Sequence, residues 1–323
     1  MKILIAGEPN RTMQLGIDTG VVLAAEMLRR EFCVDYVDLE TADWMLETPE
    51  YFSQLSVQKL IEVKPNQVEP FVLEKARQVK MEDYSVIWNR LDPPVNDRYI
   101  GHMKQFSKLP APILQINNPN WTWRLSEHLL PQNYPEFSVP TWECDSFENF
   151  LSVISRAKTE VVAKPLHLFS GLGISFFSSN DSHEKLRQYW EQWKPKVVVQ
   201  PYLAEIETIG DLRILVMNRK VVGSVLRKPK VGSRLANIHQ GGSAHFFNPT
   251  RKQLKACEVI ANDLYSKGLY LLGIDFIGDF LTEVNITCPS ALPQINRVMN
   301  LQGEKTVIDE MEALVRSRPK GPT

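Results

Sequence analysis

The sequence predicts a mixed α/β (α+β) protein, and three patterns along its 323 residues support this prediction. Strands alternate with helices over about the first 120 residues, which is typical of a parallel sheet. A short β-α-β-β-α-β pattern occupies residues 139–203. The last third reads as two hairpins separated by a long helix, which indicates an antiparallel sheet.

The first third contains alternating strands and helices. The strand KILIAG precedes a helix in DTGVVLAAEMLRR, where Asp18 or Thr19 can cap the helix N-terminus. CVDYVDL is the second strand, and we expect a helix in EKARQVKME. The strands YSVIWNR and APILQIN follow. Because ligands bind at the carboxyl ends of parallel strands, the loops near Gly7, Arg90 and Asn117 are candidate binding positions.

The last third contains the longest predicted helix between two hairpins. DLRILVMN and KVVGSVLRK form a hairpin that turns at Asn218–Arg219. A loop over residues 229–242 leads to the helix NPTRKQLKACEVIANDLYSKG, which Asn248 or Thr250 can cap and Gly268 can end. The hairpin GIDFIGDFLTEVNIT comes next.

This second hairpin carries Asp275, Glu283 and Asn285 among apolar residues. A two-residue turn at Gly278–Asp279 would pair Asp275 with Thr282, whereas a three-residue turn or a bulge would place it opposite Glu283. Carboxylates about 5 Å apart repel each other unless a cation lies between them. Oxygen ligands of this kind suit Mg²⁺ or Mn²⁺. The alternative is a solvated hairpin whose polar side chains face water.

Composition excludes several classes of function. Hydrophobic residues make up 43% and charged residues 23% of the chain, as in ordinary globular proteins. A net charge of -1 gives no general reason to bind nucleic acid or a membrane, and no apolar run approaches the roughly 18 residues of a membrane span. The apolar start is too short for a signal peptide, and four cysteines are scattered without metal-ligand spacing. We therefore expect a cytoplasmic protein.

A series of short motifs runs through the chain in a fixed order. They are RLDPP at 90–94, AKPL at 163–166, QPYL at 200–203, GDLR at 210–213, NIHQGG at 237–242 and DFIGDFLTEVNITCP at 275–289. The series resembles the ATP-grasp superfamily, and most closely its bacterial glutathione synthetases, from the first strand to about residue 300. The RxDPP turn and the D-x7-E-x-N-x-T-x-P hairpin are specific at the family level.

The resemblance implies an ATP-grasp fold in three parts. These would be an N-terminal parallel α/β domain at 1–122, a central lid subdomain at 123–203 and a C-terminal antiparallel-sheet subdomain with the metal site at 204–316. Residues 317–323 would form a disordered tail.

The implied activity is ATP-dependent carboxylate–amine ligation. In ATP-grasp ligases a carboxylate attacks the γ-phosphate of ATP, and an amine then displaces phosphate from the acyl phosphate to form an amide. Such chemistry depends on positioning and charge neutralisation, which agrees with the absence of a nucleophile elbow or Walker lysine loop from the sequence. The implied ligands are ATP, Mg²⁺ or Mn²⁺, and small-molecule or short-peptide substrates. Relatives form homo-oligomers, which the resemblance allows for this chain.

The resemblance also assigns roles to individual residues. The metal ligands would be Asp275, Glu283 and Asn285. The catalytic residues, near the phosphoryl group and the acyl phosphate, would be Arg213 and Asn237. The ATP-binding residues would be His128, Lys164, Gln200, Tyr202, Leu203, Glu205 and Asp211. The substrate-binding residues would be Asp18, Thr19, Arg90, Asp92, Arg234, Gly241 and Gly242.

Plainer roles compete with some of these assignments. Lys164 is alternatively an exposed lysine at a strand end. Arg213 is alternatively the partner of Asp211 in a structural ion pair. Asp18 and Thr19 are alternatively N-caps and nothing more, although a capped helix start can also bind a carboxylate.

Three segments depart from the family pattern. His128 stands where the family has a second phosphate-binding lysine, and histidine is mostly neutral at pH 7. His167 and Leu168 replace an acid and a glycine in the lid loop, which makes that loop stiffer. Leu235 occupies the position of a family arginine, and Arg234 is shifted by one residue. This last change leaves the identity of the substrate open.

Three functions are compatible with the sequence. The first is glutathione synthetase itself, which joins γ-glutamylcysteine to glycine. The second is a ligase of the same build that acts on another peptide, amino acid or protein C-terminus. The third is an ATP-grasp nucleotide-binding protein without ligase activity. The metal triad, Lys164 and Arg213 favour a ligase, because a protein without catalysis has little need for all five.

Overall fold

Three β-sheets account for most of the fold. The structure is a computed structural model that describes residues 1–13, 16–42, 55–110, 112–166, 168, 171–230, 232–236 and 241–318. Within these ranges the chain forms sheets of seven, four and five strands. No helix in the described ranges has the length and apolar character needed to cross a bilayer.

The seven-stranded sheet belongs to the first third of the chain. Its strands are β1 (Lys2–Gly7), β2 (Cys33–Asp38), β3 (Leu55–Val63), β4 (Phe71–Leu73), β5 (Arg77–Val79), β6 (Val86–Arg90) and β7 (Leu114–Ile116). Its helices are α1 (Thr19–Arg29), α2 (Asp97–Phe106) and the short α3 (Pro119–Thr122). The strand order is β4-β3-β2-β1-β6-β7, with β5 paired to β3. The parallel pairing of β2, β1, β6 and β7 confirms the prediction from alternating strands and helices, while β3 pairs antiparallel with β2, β4 and β5.

The prediction of a helix in EKARQVKME, residues 74–82, is wrong. The segment instead contains β5 and a 3₁₀ turn at Met81–Asp83. Arg77 of β5 donates to both carboxylate oxygens of Asp35, at 2.7 and 2.9 Å, and Asp35 is completely buried on β2. Strand pairing and a long-range ion pair therefore outweigh the local helix propensity of this segment.

The four-stranded sheet confirms the predicted β-α-β-β-α-β unit. Its elements are β8 (Trp142–Cys144), α4 (Phe147–Ser155), β9 (Val161–Pro165), β10 (Ser175–Phe177), α5 (His183–Trp193) and β11 (Val197–Pro201). The strands pair antiparallel in the order β10-β9-β11-β8. The two helices cover one face, where Phe150 of α4 packs against Phe177 and against Tyr189 of α5.

The five-stranded sheet belongs to the last third. Its elements are α6 (Glu205–Thr208), β12 (Asp211–Met217), β13 (Lys220–Lys228), β14 (Ser243–His245), α7 (Arg251–Tyr265), β15 (Leu271–Ile277), β16 (Phe280–Asn285), α8 (Leu292–Met299) and α9 (Gly303–Ser317). The strand order is β14-β13-β12-β15-β16. The predicted turn at Asn218–Arg219 is confirmed, with φ of 50° and 68°, and Thr250 caps α7 in a capping box. Residue 317, where a disordered tail was expected to begin, is still helical, and residues 319–323 lie outside the described ranges.

One buried asparagine joins the first and third sheets. Asn117 follows β7, and its Nδ2 donates to the carbonyl oxygens of Leu271 (2.7 Å) and Ile286 (2.8 Å). Its Oδ1 accepts from the backbone N–H groups of Tyr270 and Leu271. All four hydrogen-bonding positions of the amide are thus used. The strand ends of the β15–β16 hairpin are thereby fixed to the carboxyl end of a parallel strand.

Candidate active site

A cleft of about 720 Å³ opens where the three sheets meet. Residues from the strand ends of the first sheet, from β9 and β11, and from β12, β15 and β16 form its walls. The predicted site residues that line it are Asp18, Thr19, Arg90, Asp92, His128, Lys164, Gln200, Tyr202, Leu203, Asp211, Arg213, Arg234, Asp275, Glu283 and Asn285. Residues far apart in the sequence therefore converge on one cavity.

The β15–β16 hairpin turns at Gly278–Asp279, yet Asp275 still lies opposite Glu283. The register shifts by one residue beyond the turn, so that Thr282 is an extra residue in β16. Thr282 Oγ1 donates to the carbonyl oxygen of Asp275 at 3.2 Å. The prediction that the two carboxylates share a face is confirmed through a bulge, and the alternative of a three-residue turn is wrong.

Asp275 is a buried anion surrounded by cations. Arg213 donates two hydrogen bonds to its carboxylate, one of 2.7 Å from Nη2, and Arg227 Nη2 lies 3.0 Å from Oδ2. Burial raises the pKa of Asp275, but the two guanidiniums outweigh burial and hold that pKa below its usual value. Arg227 also pairs with Asp211, whose pKa burial raises. The partner of Arg213 is therefore Asp275, and the alternative pair with Asp211 is wrong.

Glu283 and Asn285 complete the polar face of the hairpin. Asn285 Nδ2 donates to Asp275 Oδ2 at 3.2 Å. Glu283 Oε1 lies 3.6 Å from Nδ1 of His128, and burial lowers the pKa of this histidine. His128 is therefore neutral at pH 7 and supplies no positive charge. Within the described residues Glu283 forms no ion pair with a lysine or an arginine.

These residues offer a divalent cation oxygen ligands without a closed cage. In the described part of the chain, no three His, Cys, Asp or Glu side chains lie close enough together to hold a metal. The donors are instead two carboxylates, of Asp275 and Glu283, and the amide oxygen of Asn285. The cleft also contains Oδ1 of Asp211, which is buried without a hydrogen-bond partner among the described residues. This donor set fits Mg²⁺, which commonly keeps water and phosphate oxygens as its remaining ligands.

Lys164 projects into the cleft from β9. Its side chain and that of Val162 are half-buried, in alternation with fully buried neighbours. Nζ donates to Oε1 of Gln200 at 2.9 Å, and Gln200 Nε2 donates to Thr141 Oγ1 at 3.0 Å. Burial lowers the pKa of Lys164, an effect that the carboxylate of Glu283 opposes. Lys164 is thus not an exposed lysine at a strand end.

Arg234 contacts the edge of the four-stranded sheet. Its guanidinium lies 4.4 Å from the ring centroid of Phe176 and 4.2 Å from that of Tyr202. It also forms ion pairs with Glu160 and, at 3.4 Å, with Glu207. These contacts hold the loop after β13 against the wall that Tyr202 provides. A direct contact of Arg234 with substrate stays a prediction.

The opposite end of the cleft contains the residues predicted to face the acid substrate. Asp18 Oδ1 accepts from backbone N–H groups at the start of α1, which confirms that it is an N-cap. Thr19 Oγ1 accepts from the backbone N–H of Leu292 at 3.2 Å. Arg90 Nη1 donates to the carbonyl oxygen of Pro289 at 2.9 Å. These side chains hold the first sheet against the segment that follows the hairpin.

Three predicted residues do not line the cleft. Glu205 is exposed at the start of α6, and Gly241 and Gly242 precede β14. Asn237, predicted to be catalytic, lies outside the described residues.

Charged residues of the cleft that were not anticipated from the sequence include Glu127 and Arg227, which contact the hairpin and its flanks. Arg227 stands in the strand KVVGSVLRK, where only the folded structure reveals its two carboxylate partners. Glu127 Oε1 accepts a hydrogen bond of 2.6 Å from the backbone N–H of Ile286. Burial, together with the charge of Glu283, raises the pKa of Glu127 to about 7. Neither residue carries a sequence signal, because the partners of each are distant in the chain.

Solved structures of the same fold include a D-cycloserine synthetase and a D-alanyl-alanine synthetase A from Vibrio cholerae. The first has a TM-score of 0.66 at 12% identity and covers 97% of this chain and 99% of that chain. The second has a TM-score of 0.60 at 11% identity and covers 98% and 99%. A RiPP-associated ATP-grasp ligase from Chryseobacterium gregarium has a TM-score of 0.57 at 15% identity and covers 99% and 98%. At such identities the likeness shows the fold alone, which is that of ATP-grasp ligases.

Curated relatives and family models extend the likeness to the sequence. Glutathione synthetase of Buchnera aphidicola is 26% identical over 322 residues, 97% of each chain. That of a Nostoc species is 30% identical over 235 residues, 72% of each chain. The model of the prokaryotic glutathione synthetase N-terminal domain matches residues 1–122, and that of its ATP-grasp domain matches residues 127–300. The chain therefore belongs to the prokaryotic glutathione synthetase family of ATP-dependent C–N ligases.

Proposed function

We propose that the protein joins the carboxylate of γ-glutamylcysteine to the amine of glycine, with ATP as phosphoryl donor, and so forms glutathione. The proposal extends family membership to a particular substrate pair, which relatives named glutathione synthetase support. Mg²⁺ or Mn²⁺ is the cation that we propose for the site. The scattered cysteines support a cytoplasmic setting.

The observation that carries the proposal is the register of the β15–β16 hairpin. It places Asp275 opposite Glu283, in a cleft that also holds Lys164 and Arg213. Bound there, a divalent cation would neutralise phosphate charge, with Asp275, Glu283 and Asn285 as its protein ligands. The cleft is large enough for a nucleotide and a small peptide, which ordinarily need several hundred Å³.

In the first step the substrate carboxylate attacks the γ-phosphorus of ATP. A P–O bond to the carboxylate forms while the bond to the β-phosphate oxygen breaks, which releases ADP and leaves an acyl phosphate. Lys164 and Arg213 would hold the phosphate oxygens, as cations suited to a transition state whose charge lies on those oxygens. Tyr202 and Leu203 would border the adenine at the apolar end of the cleft.

In the second step the glycine amine attacks the acyl carbon. The C–N bond forms, inorganic phosphate leaves with the electron pair of the C–O bond, and the nitrogen loses a proton. The residues at the other end of the cleft, Asp18, Thr19, Arg90 and Asp92, would position the acid. Walls that enclose the bound acyl phosphate would keep water from hydrolysing it.

A second candidate is a ligase of the same mechanism that takes another acid. It is favoured by the substrate loop, where Leu235 replaces a family arginine and Arg234 contacts Glu160, Phe176 and Tyr202 instead. A loop whose cation is already engaged has less charge to offer a substrate carboxylate. The reaction type is unaffected by this choice.

Phosphate release by the purified protein tests the proposal. With Mg-ATP, γ-glutamylcysteine and glycine we expect release that depends on both co-substrates, and glutathione detectable by mass spectrometry. Release only with other acid–amine pairs would support the second candidate. No release with a broad panel of acids and amines would refute both and support a nucleotide-binding protein.

A further inference from the structure

The chain directly after the hairpin ligands is held unusually firmly. Glu283 and Asn285 lie on one face of β16, and Ile286 and Thr287 follow directly after the strand ends, so the position of this short segment influences that of the two side chains. Val284 and Ile286 are fully buried, and Thr287 is nearly so. Contacts that hold Ile286 and Thr287 in place therefore also hold Glu283 and Asn285, which precede them.

Glu127 provides most of this fixation through a single oxygen. Its Oε1 accepts from the backbone N–H of Ile286 at 2.6 Å, from the backbone N–H of Thr287 at 2.8 Å, and from Thr287 Oγ1 at 2.8 Å. Its own carbonyl oxygen accepts from the backbone N–H of Val284 at 3.1 Å. Residue 127 thus contacts three positions of this segment, Val284 before Asn285 and Ile286 and Thr287 after it.

Asn117 holds the same segment through a second backbone group of Ile286. The carbonyl oxygen of Ile286 accepts from Asn117, while its N–H donates to Glu127. Both backbone polar groups of Ile286 are therefore fixed, by side chains from two different segments of the chain. Buried backbone groups that lose such partners carry a desolvation cost, so Glu127 keeps this segment in place by accepting its hydrogen bonds.

We propose that Glu127 is a positioning residue for the metal site: as a hydrogen-bond acceptor for Ile286 and Thr287, it fixes the strand that carries Glu283 and Asn285. The inference rests on the proposed function, since it assumes that these residues bind a cation with a nucleotide. Mg²⁺ and Mn²⁺ sites tolerate little displacement of their ligands. Loss of a residue that orients metal ligands ordinarily lowers metal affinity about 10–100-fold.

Binding of Mn²⁺ in the presence of ADP, followed through the electron paramagnetic resonance of free Mn²⁺, tests the proposal without turnover. We expect Glu127→Ala to weaken Mn²⁺ binding at least about tenfold. Glu127→Gln should recover most of the affinity, because its amide oxygen has two lone pairs and can accept from the two backbone N–H groups. The matched control is Glu310→Ala, which removes another buried carboxylate of the chain, bonded to Asn218 and Lys220 at the far hairpin. It should lower Tm and leave Mn²⁺ affinity unchanged.

Two outcomes would overturn the proposal. Wild-type Mn²⁺ affinity in a folded Glu127→Ala variant would show that the strand needs no acceptor there. Equal losses in Glu127→Gln and Glu127→Ala would assign the effect to the negative charge. Should Glu127→Ala not fold, Thr287→Val takes its place, because it removes one donor of the three; unchanged affinity there would also contradict the proposal. Failure of the wild-type protein to bind Mn²⁺ with ADP would instead refute the proposed function.

Discussion

The two hairpins of the five-stranded sheet share their turn length and the position of their bulge, but their side chains face different surroundings. Each turns through two residues, and in each the register shifts at the third residue of the second strand. The extra residue is Val222 in β13 and Thr282 in β16. Beyond the bulge, Leu215 lies opposite Gly223 in one hairpin, and Asp275 lies opposite Glu283 in the other.

The residues that follow the bulge, Gly223 in one hairpin and Glu283 in the other, have different surroundings. A Cβ on Gly223 would lie 2.4 Å from Cγ2 of Ile295, so this position lets α8 pack closely on the sheet. Glu283 at the matching position faces the cleft. The bulge therefore orients one pair toward a packed helix and the other toward the cleft. We expect changes in the first hairpin to affect stability and changes in the second to affect activity.

The largest difference should come from Glu283→Gln. Removing one carboxylate charge while keeping its shape should lower kcat on the order of a thousandfold, about 4 kcal/mol of barrier, with Tm nearly unchanged. Steady-state phosphate release and a thermal melt measure both effects. Glu310→Gln, beside the turn of the first hairpin, is the control and should lose stability only. Near wild-type turnover in Glu283→Gln would make the metal assignment wrong.

Low pH should weaken the packing of α1 against α9, the helix whose Glu310 bonds the turn of the first hairpin. Arg30 of α1 bonds Glu26 and also Asp309 of α9. Hydrogen bonds from Arg29, and then from Arg30, lower the pKa of the buried Glu26 to about 2. Because the folded pKa is below the usual value, this stability is present above about pH 4.5 and is lost as pH falls toward 2.

Urea unfolding of the wild type and of Glu26→Gln measures this contribution. At pH 7 the variant should be less stable by up to roughly 3 kcal/mol, and the difference should shrink as the pH is lowered toward 2. Lys255→Gln, which removes an exposed ion pair with Glu258, is the control and should show little difference at either pH. A difference independent of pH would contradict the assignment.

Gly223→Ala should destabilise the first hairpin without slowing turnover. The added Cβ would overlap Ile295, and overpacking of this kind costs about 1–3 kcal/mol. Thermal melts should show a Tm several degrees lower, while kcat stays within about twofold of wild type. Val221→Ala, exposed on the same strand, is the matched control and should change stability by less than about 0.5 kcal/mol. A loss of activity larger than the loss of stability would break the distinction between the hairpins.

His128→Lys should sharpen the role of the second hairpin. The neutral histidine lies 3.6 Å from Glu283, and a lysine there would add a positive charge beside the phosphate region. We expect the KM for ATP to fall about threefold at low ionic strength, roughly 0.7 kcal/mol. His128→Gln, neutral and polar, should leave this KM near its wild-type value. An unchanged KM in the lysine variant would place the phosphates elsewhere.

The smallest effect on activity should come from exchanging the two bulge residues. Thr282→Val removes the hydrogen bond to the Asp275 carbonyl oxygen and should lower kcat/KM about threefold, since such a bond contributes about 1 kcal/mol. Val222→Thr puts a hydroxyl in the matching buried position and should lower Tm only. Equal effects of the two variants on kcat/KM would show that the bulges do not differ in function.

Local patterns predicted most of the fold, because alternation and capping act over a few residues. The β-α-β-β-α-β unit, the Asn218–Arg219 turn and the helix capped by Thr250 follow directly from such signals. Residues 74–82 did not, because Arg77 pairs with Asp35 across more than forty residues of chain, a contact that no local pattern contains. Period-two alternation also cannot detect a bulge, so the register at Thr282 stayed undecided in the sequence.

The residues of the candidate site could be predicted where they stand in sequence motifs. Those recognised only through their contacts in the folded chain could not. Asp275, Glu283 and Lys164 stand in motifs and line the cleft. Arg227 looked like an ordinary strand residue, because its burial depends on two carboxylates from other strands. Glu127 was missed since its three donors come from residues some 160 positions later in the chain.

The buried pair of Arg213 and Asp275 gives the site an internal counterion. Under the proposed function, a cation bound to Asp275 would release the guanidinium for a phosphate, and a phosphate bound to Arg213 would release the carboxylate for a cation. Each ligand would therefore remove part of the free-energy cost of binding the other. Thermodynamic reciprocity then requires nucleotide and cation to raise each other's affinity by the same factor. We expect neither to bind tightly alone, so that the protein responds to the metal–nucleotide complex and ignores its separate components.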